Sequence, residues 1–191
     1  MKKLPSLPTA VLLLSVLFPA TALAAEAPVT KRAELERIER ALGADVPKVL
    51  CLDDSFTTGA QPTAEAYGKA AANGFRAVLS LRTNSEGIDL VLERARVESQ
   101  RLRYFNIPVN GSAPRPEQAD EFLRIARDKS NHPMLVNCAS ANRVGAFMMI
   151  LRVVDQKWSE GKALEEAIKI GLASEVLQKF AKDYIALHKA Q

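Results

Sequence analysis

The sequence predicts an α/β fold, a three-layer sandwich with a small, largely parallel sheet flanked by helices. Short apolar runs fit for buried strands, such as residues 75–81 (FRAVLSL) and 133–137 (PMLVN), recur along the chain. Between them lie stretches with apolar residues at helical spacing, and the punctuation repeats as helix, glycine, strand. In sheets of this kind the functional loops lie beyond the carboxyl ends of the strands.

Taken in order, residues 31–42 set Leu35, Ile38 and Leu42 at helical spacing among charges, with Gly43 as a stop. Residues 49–52 form a short strand candidate, and residues 56–62 (FTTGAQP) read as an irregular loop because glycine and proline punctuate them. Thr63 begins a helix that runs through Ala64, Tyr67, Ala70 and Ala71 to Asn73-Gly74, a C-terminal cap, and a buried strand follows over residues 75–81. Residues 87–100 then read as a helix and 102–109 (LRYFNIPV) as a strand. Pro116 at a first helical position, with Glu117 and Asp120 behind it, opens a helix that ends near Ser130. A strand over 133–137, a helix over 143–156 and two closing helices over 163–170 and 175–188 complete the series.

The first 24 residues read as a secretory signal peptide. Lys2 and Lys3 precede an apolar run over residues 11–17, and Ala22-Leu23-Ala24 offers small residues for cleavage. Cleavage after Ala24 leaves 167 of the 191 residues and lowers the formal charge from +4 to +2, since two lysines go with the leader. The expected organisation is a signal peptide over 1–24, an N-terminal extension with its helix over 25–45, and one main domain over 46–191. The apolar run is too short to span a bilayer comfortably, so a periplasmic or secreted protein with no stable membrane insertion is expected. Basic residues are mixed with acidic ones rather than blocked, which argues against a nucleic-acid partner.

Two cysteines, Cys51 and Cys138, remain after cleavage. A disulfide between them would suit an oxidising compartment. Cys51 lies in an apolar stretch, however, where a lone cysteine usually behaves as a small hydrophobe.

Residues 132–150 (HPMLVNCASANRVGAFMMI) carry the chemistry. An apolar strand ends in Cys138, a turn of small residues reaches Arg143, and a second apolar run begins as a helix. Such a strand, loop and helix form an anion cradle. Backbone N–H groups and the helix start face one point, and the arginine adds a bidentate fork. An arginine at a helix start is electrostatically unfavourable unless an anion is present. A thiol in that position is expected to lose its proton easily.

The segment Cys138-Ala-Ser-Ala-Asn-Arg143 resembles the phosphate-binding loop of the cysteine-dependent protein tyrosine and dual-specificity phosphatases. It is most similar to a bacterial group named for a beta-lactamase hydrolase-like protein, phosphatase-like domain. Phe56-Thr-Thr-Gly-Ala-Gln-Pro62 is similar to that group's "SGQP" segment. The run AANGFRAVLSLR ending at Arg82, with Glu86, resembles its "aGf-x-x-V-x-x-LR…E" segment, and residues 104–109 resemble its "Y-x-x-IPV" strand. The resemblance implies a dual-specificity-phosphatase-like domain over 46–191 in which Cys138 forms a phosphocysteine intermediate and Arg143 clamps the phosphate. The loop residues Ala139, Ser140, Ala141, Asn142 and Val144 would complete the phosphate site, with Arg82, Glu86 and Asn137 in support. It implies no cofactor and no metal, and a phosphorylated small molecule or phosphoprotein as partner. Glu86 would orient Arg143 or pair with Arg82; a solvated loop carboxylate is the alternative.

The chain departs from the common pattern in places. Four residues rather than five separate Cys138 from Arg143, a spacing shared by the smaller group and by rhodanese-type sulfurtransferase loops. Asn137 stands where histidine is usual, Ala141 where glycine is, and Val144 where a Ser or Thr is expected. The loop after residue 109, where such phosphatases carry an acidic residue, reads Asn110-Gly-Ser-Ala-Pro-Arg-Pro116 and holds no carboxylate. Asp120 reads as a helix-dipole or solvating residue. These departures keep two other functions in view: sulfur transfer through a Cys138 persulfide, and phosphoanion binding by a catalytically weak pseudophosphatase. Asp53 and Asp54 beside Ser55 read as a turn, and no thiol cluster or histidine pair has zinc spacing. His132 and His188 stand at a strand entry and in the tail, while Trp158, Met148 and Met149 read as core or near-core residues.

Overall fold

Buried strands form wherever short apolar or β-branched runs can be covered on both faces. The computed structural model, which describes residues 28–189, contains five of them in the order β1-β2-β5-β3-β4. They are β1 (Leu50–Cys51), β2 (Phe56–Gly59), β3 (Ala77–Ser80), β4 (Arg103–Asn106) and β5 (Met134–Asn137). β2, β5, β3 and β4 are parallel to one another, and β1 is an antiparallel edge strand. The expected signal peptide lies outside the described residues. Among those residues no helix is long and apolar enough to cross a membrane.

The helices fall on two sides, giving the three layers the sequence predicts. On one face α1 (Pro28–Leu42), α2 (Ala64–Ala72) and α3 (Leu90–Ser99) bring Leu42, Ala66, Tyr67 and Val97 against Val78, Tyr104 and Leu135. On the other, α4 (Pro116–Arg127), α5 (Asn142–Val154), α6 (Glu160–Ile170) and α7 (Glu175–Lys189) surround Ala77, Leu79, Met134 and Val136. Alternate residues of β5 thus serve opposite cores, as the pleat requires. Every residue of α5 from Arg143 to Val153 is buried, so this helix is the centre of its layer and not an amphipathic cover. Gly145 makes that possible: a Cβ there would stand 2.6 Å from the Ala167 carbonyl oxygen and 2.8 Å from Leu172 Cβ.

One expectation is corrected. Residues 56–59 are a strand, not an irregular loop. Phe56, Thr57 and Thr58 suit a pleated, covered position, and β2 finds ladder partners on both sides, which outweighs the breaker signal of Gly59 and Pro62. The hairpin into β2 closes on Asp53, whose Oδ1 accepts the N–H groups of Ser55 at 2.8 Å and Phe56 at 3.0 Å. The cysteines are both free, in keeping with the reading of Cys51 as a small buried hydrophobe rather than a disulfide partner. Cys51 pairs with Thr57 and Thr57 with Leu135, two strands across and three residues short of Cys138. Strand spacing and rise make that separation roughly 14 Å, far beyond disulfide reach. Cys51 is instead a buried thiol that accepts a hydrogen bond from the Thr57 hydroxyl, and burial raises its pKa to about 11.

Candidate active site

The carboxyl ends of β2, β3, β4 and β5 lie along one edge, where Gly59, Ser80 and Asn137 are in register and Asn106 faces Ser80. The loops leaving that edge assemble the site. After β5 the chain turns through residues 138–141 into α5. Ala141, at the helix N-cap, has φ 68° and ψ 0°. This left-handed conformation is one that glycine adopts freely and that costs an alanine roughly 1–2 kcal/mol. The turn therefore has the shape a glycine would favour, although the sequence supplies alanine. The N–H groups of the first turn of α5 have no intrahelical acceptor, and they surround the same loop.

Arg143, 8 % exposed, lies across the strand ends. Its Nη1 donates to the carbonyl oxygens of Leu81 at 2.9 Å and Val109 at 2.7 Å, which follow β3 and β4. Nη1 and Nη2 also reach Glu86 Oε1 and Oε2, each at 2.7 Å, in a bidentate pair. Glu86 thus touches both arginines, since Arg82 Nε lies 2.8 Å from its Oε2. Thr83 adds its N–H and hydroxyl to Glu86 Oε1, both at 2.9 Å. Burial works to lower the Arg143 pKa, but the Glu86 hydrogen bond and attraction to Cys138 hold it above the ordinary value. The Arg143 hydrogen bond, helped by Thr83 and opposed by burial, holds the Glu86 carboxyl at about 2.

That depressed value has a stability consequence. Between about pH 4.5 and about pH 2 the unfolded chain binds a proton at Glu86 that the folded chain does not. The contribution is therefore complete above the upper limit and is lost as pH falls through this window. Thermal melting of the parent is expected to fall more steeply across that interval than melting of Glu86→Gln. Equal slopes would mean that the arginine pair contributes nothing there.

The other expected site residues are distributed around this centre. Cys138 is fully buried beneath the loop, while Ala139 and Ser140 are exposed. Val144 is packed in the core. Asn142 Oδ1 accepts the N–H groups of Ala173 at 3.1 Å and Ser174 at 3.2 Å, tying the loop to the α6–α7 turn. Asn137 is fully buried with neither side-chain polar atom partnered, and Ser80 Oγ opposite it is likewise unpartnered. The cleft above, about 400 Å³, is lined by Gly111, Ser112, Ser140, Asn142, Arg143, Ser174, Val176 and Leu177. None of these is a carboxylate. Asp120 is turned away, accepting a hydrogen bond from the Tyr184 hydroxyl on α7. Among the described residues no cluster of His, Cys, Asp and Glu is arranged to hold a metal ion.

Sequence reasoning missed Lys48, whose ammonium donates to the Ser140 carbonyl oxygen at 3.2 Å. Its only signal was a cation next to a short strand. It also missed Glu93, 4 % exposed on the inner side of α3, which accepts hydrogen bonds from Tyr67 Oη at 2.9 Å, Tyr104 Oη at 2.5 Å and Gln61 Nε2 at 2.7 Å. Its signal was a spacing of four from the buried Val97.

Comparison with known proteins bears on the family and the fold. A family model described as "DSP-PTPase phosphatase fused to NAD+ Kinase" matches residues 29–183. No curated protein matches. Among solved structures, a DUF442 protein from Shewanella putrefaciens CN-32 is similar with TM-score 0.67 at 17% identity, covering 78% of this chain and 98% of that one. TpbA of P. aeruginosa, as a cysteine-to-serine variant in complex with pTyr, has TM-score 0.57 at 21% identity over 72% of this chain and 82% of its own. The core catalytic domain of the PP-IP phosphatase SIW14 from S. cerevisiae has TM-score 0.64 at 15% identity over 73% and 86%. At these identities the likeness is one of fold.

Proposed function

Because the chain belongs to the family described as DSP-PTPase phosphatase fused to NAD+ kinase, within the cysteine-dependent tyrosine and dual-specificity phosphatase superfamily, we propose that it hydrolyses phosphomonoesters through Cys138. The observation that carries this reading is Arg143, a buried guanidinium held beside Cys138 at the start of α5 by Glu86 and two strand-end carbonyls. A fixed cation and converging N–H groups at a helix start suit a phosphoryl group whose charge spreads over its equatorial oxygens.

In the first step the Cys138 sulfur attacks phosphorus, the S–P bond forms and the P–O bond to the leaving group breaks. In the second, water attacks the phosphocysteine, releasing phosphate and the thiolate. Cys138 is covered by its loop, so the phosphate must enter between that loop and Arg143. With no carboxylate lining the cleft, the leaving oxygen takes its proton from solvent. Aryl phosphates, whose oxygens leave readily as anions, are therefore favoured over alkyl ones. The substrate is a phosphorylated small molecule or a phosphoprotein. TpbA, of like fold, binds pTyr.

The test is acid-quenched reaction of the reduced protein with an aryl phosphate, read by intact mass and by phosphate release. Turnover and a phosphoryl adduct that is absent in Cys138→Ser are expected. Failure of both would overturn the proposal, and a sulfur adduct after thiosulfate treatment would redirect it to sulfur transfer.

A further inference from the structure

The Phe56–Pro62 segment has a residue that the proposed mechanism does not use. Gln61 spans the space between the Arg82–Glu86–Arg143 group and the buried carboxylate of Glu93. Its Nε2 donates to Glu93 Oε1 at 2.7 Å and its Oε1 accepts from Arg82 Nη1 at 2.8 Å. We infer that Gln61 is a positioning residue for the phosphate clamp, transmitting the orientation of the buried Glu93 to Arg82 and through Glu86 to Arg143. This inference rests on the phosphatase reading.

The chemistry of the groups gives the relay its direction. A carboxylate only accepts hydrogen bonds, so the amide NH₂ of Gln61 must face Glu93 and its oxygen is left for Arg82. Glu93 is itself held by hydroxyls from two different elements, Tyr67 on α2 and Tyr104 on β4. The Tyr67 and Tyr104 pKa values are raised, first by burial and then by Glu93, so both remain donors.

Gln61 is needed because the Arg82–Glu86 contact does not fix Arg82 unaided. Although Arg82 Nε is 2.8 Å from Glu86 Oε2, the two are not aligned as a hydrogen bond. The attraction is Coulombic and weakly directional. The directional bonds of the Arg82 guanidinium run from Nη1 to Gln61 Oε1 and from Nη2 to the Glu86 carbonyl oxygen at 3.1 Å. Removing the Gln61 oxygen releases one of these two. Arg82 is then free to rotate against Glu86 Oε2, the same oxygen that receives Arg143 Nη2 at 2.7 Å. A clamp that loses its registration loses phosphate affinity and rate together, because both depend on where its N–H groups point.

Gln61→Met keeps the side-chain length and removes both polar atoms. We would measure orthovanadate affinity by calorimetry, kcat and KM on an aryl phosphate, and melting by circular dichroism, for the parent, Gln61→Met, Glu86→Gln and the double variant. The expected result is a loss of about tenfold or more in vanadate affinity and kcat/KM for Gln61→Met. In the Glu86→Gln background the same change is expected to have little further effect, since the relay is already cut there. A Gln61→Met protein that melts lower but binds and turns over as the parent does would make Gln61 merely structural and overturn the inference. Fully multiplicative losses in the double variant would overturn it as well. A parent that neither binds vanadate nor turns over would overturn the phosphatase reading itself, an outcome distinct from both.

Discussion

Arg143→Lys is expected to lower kcat/KM on an aryl phosphate about 10²- to 10³-fold, the scale of losing a directed donor to an oxyanion, in a protein that still folds. Lysine keeps the charge, so Glu86 is not left facing an empty position. It cannot keep the fork. Arg143 uses two nitrogens on the two oxygens of Glu86 and also bonds the Leu81 and Val109 carbonyls. An ammonium on a flexible stem would satisfy some of these acceptors at the expense of the phosphate. The loss should therefore appear in kcat as well as KM. Steady-state kinetics with parallel melting curves check it. A variant within threefold of the parent would mean that charge alone, not the oriented guanidinium, carries the site.

What the sequence made legible follows from how local each signal was. Cys138, the small turn and Arg143 lie within six residues, with one apolar run before them and another after, so β5, α5 and the cradle could all be read from one stretch. Ala141 was legible as a departure, and its φ of 68° bears out that a glycine-like turn is required there. Glu86 and Arg82 could be placed only through resemblance, because Glu86 bonds Arg143, 57 residues away, and Arg82 bonds Gln61, 21 residues before it. Glu93 offered only its spacing of four from Val97, a signal too weak to mark it. A glutamate among Arg94, Arg96 and Glu98 looks like part of a solvated face, and its burial is made tolerable by the tyrosines of α2 and β4 together with Gln61. The strand over 56–59 was hidden for a related reason, since its pairing with β5 joins residues far apart in the chain.

A buried arginine of α5 ties distant parts of the fold together. Arg152 lies in the last turn of the apolar helix α5 and is 1 % exposed. Its Nε and Nη2 meet Glu166 on α6 at 2.6 Å and 3.2 Å, and its Nη1 meets Asp53 of the β1–β2 turn at 2.7 Å and Gln156 at 2.8 Å. Trp158 covers the guanidinium face at 4.7 Å. One residue therefore ties α5 to α6 and to the edge hairpin, at the end of the helix opposite Arg143. Arg152→Met is expected to cost about 3 kcal/mol, the lower end for removing one partner of a buried pair, because the Asp53 side chain keeps 34% of its surface in solvent. For a chain of this size that corresponds to roughly 6–12 °C in melting temperature. Most of the cost comes from the stranded carboxylates rather than from lost attraction. Adding Asp53→Asn and Glu166→Gln to Arg152→Met should then recover a measurable part of the loss, since the amide oxygen introduced at position 53 can still accept the turn's N–H groups. A triple variant less stable than Arg152→Met would show that the arginine acts through packing against Trp158 and not through its charge.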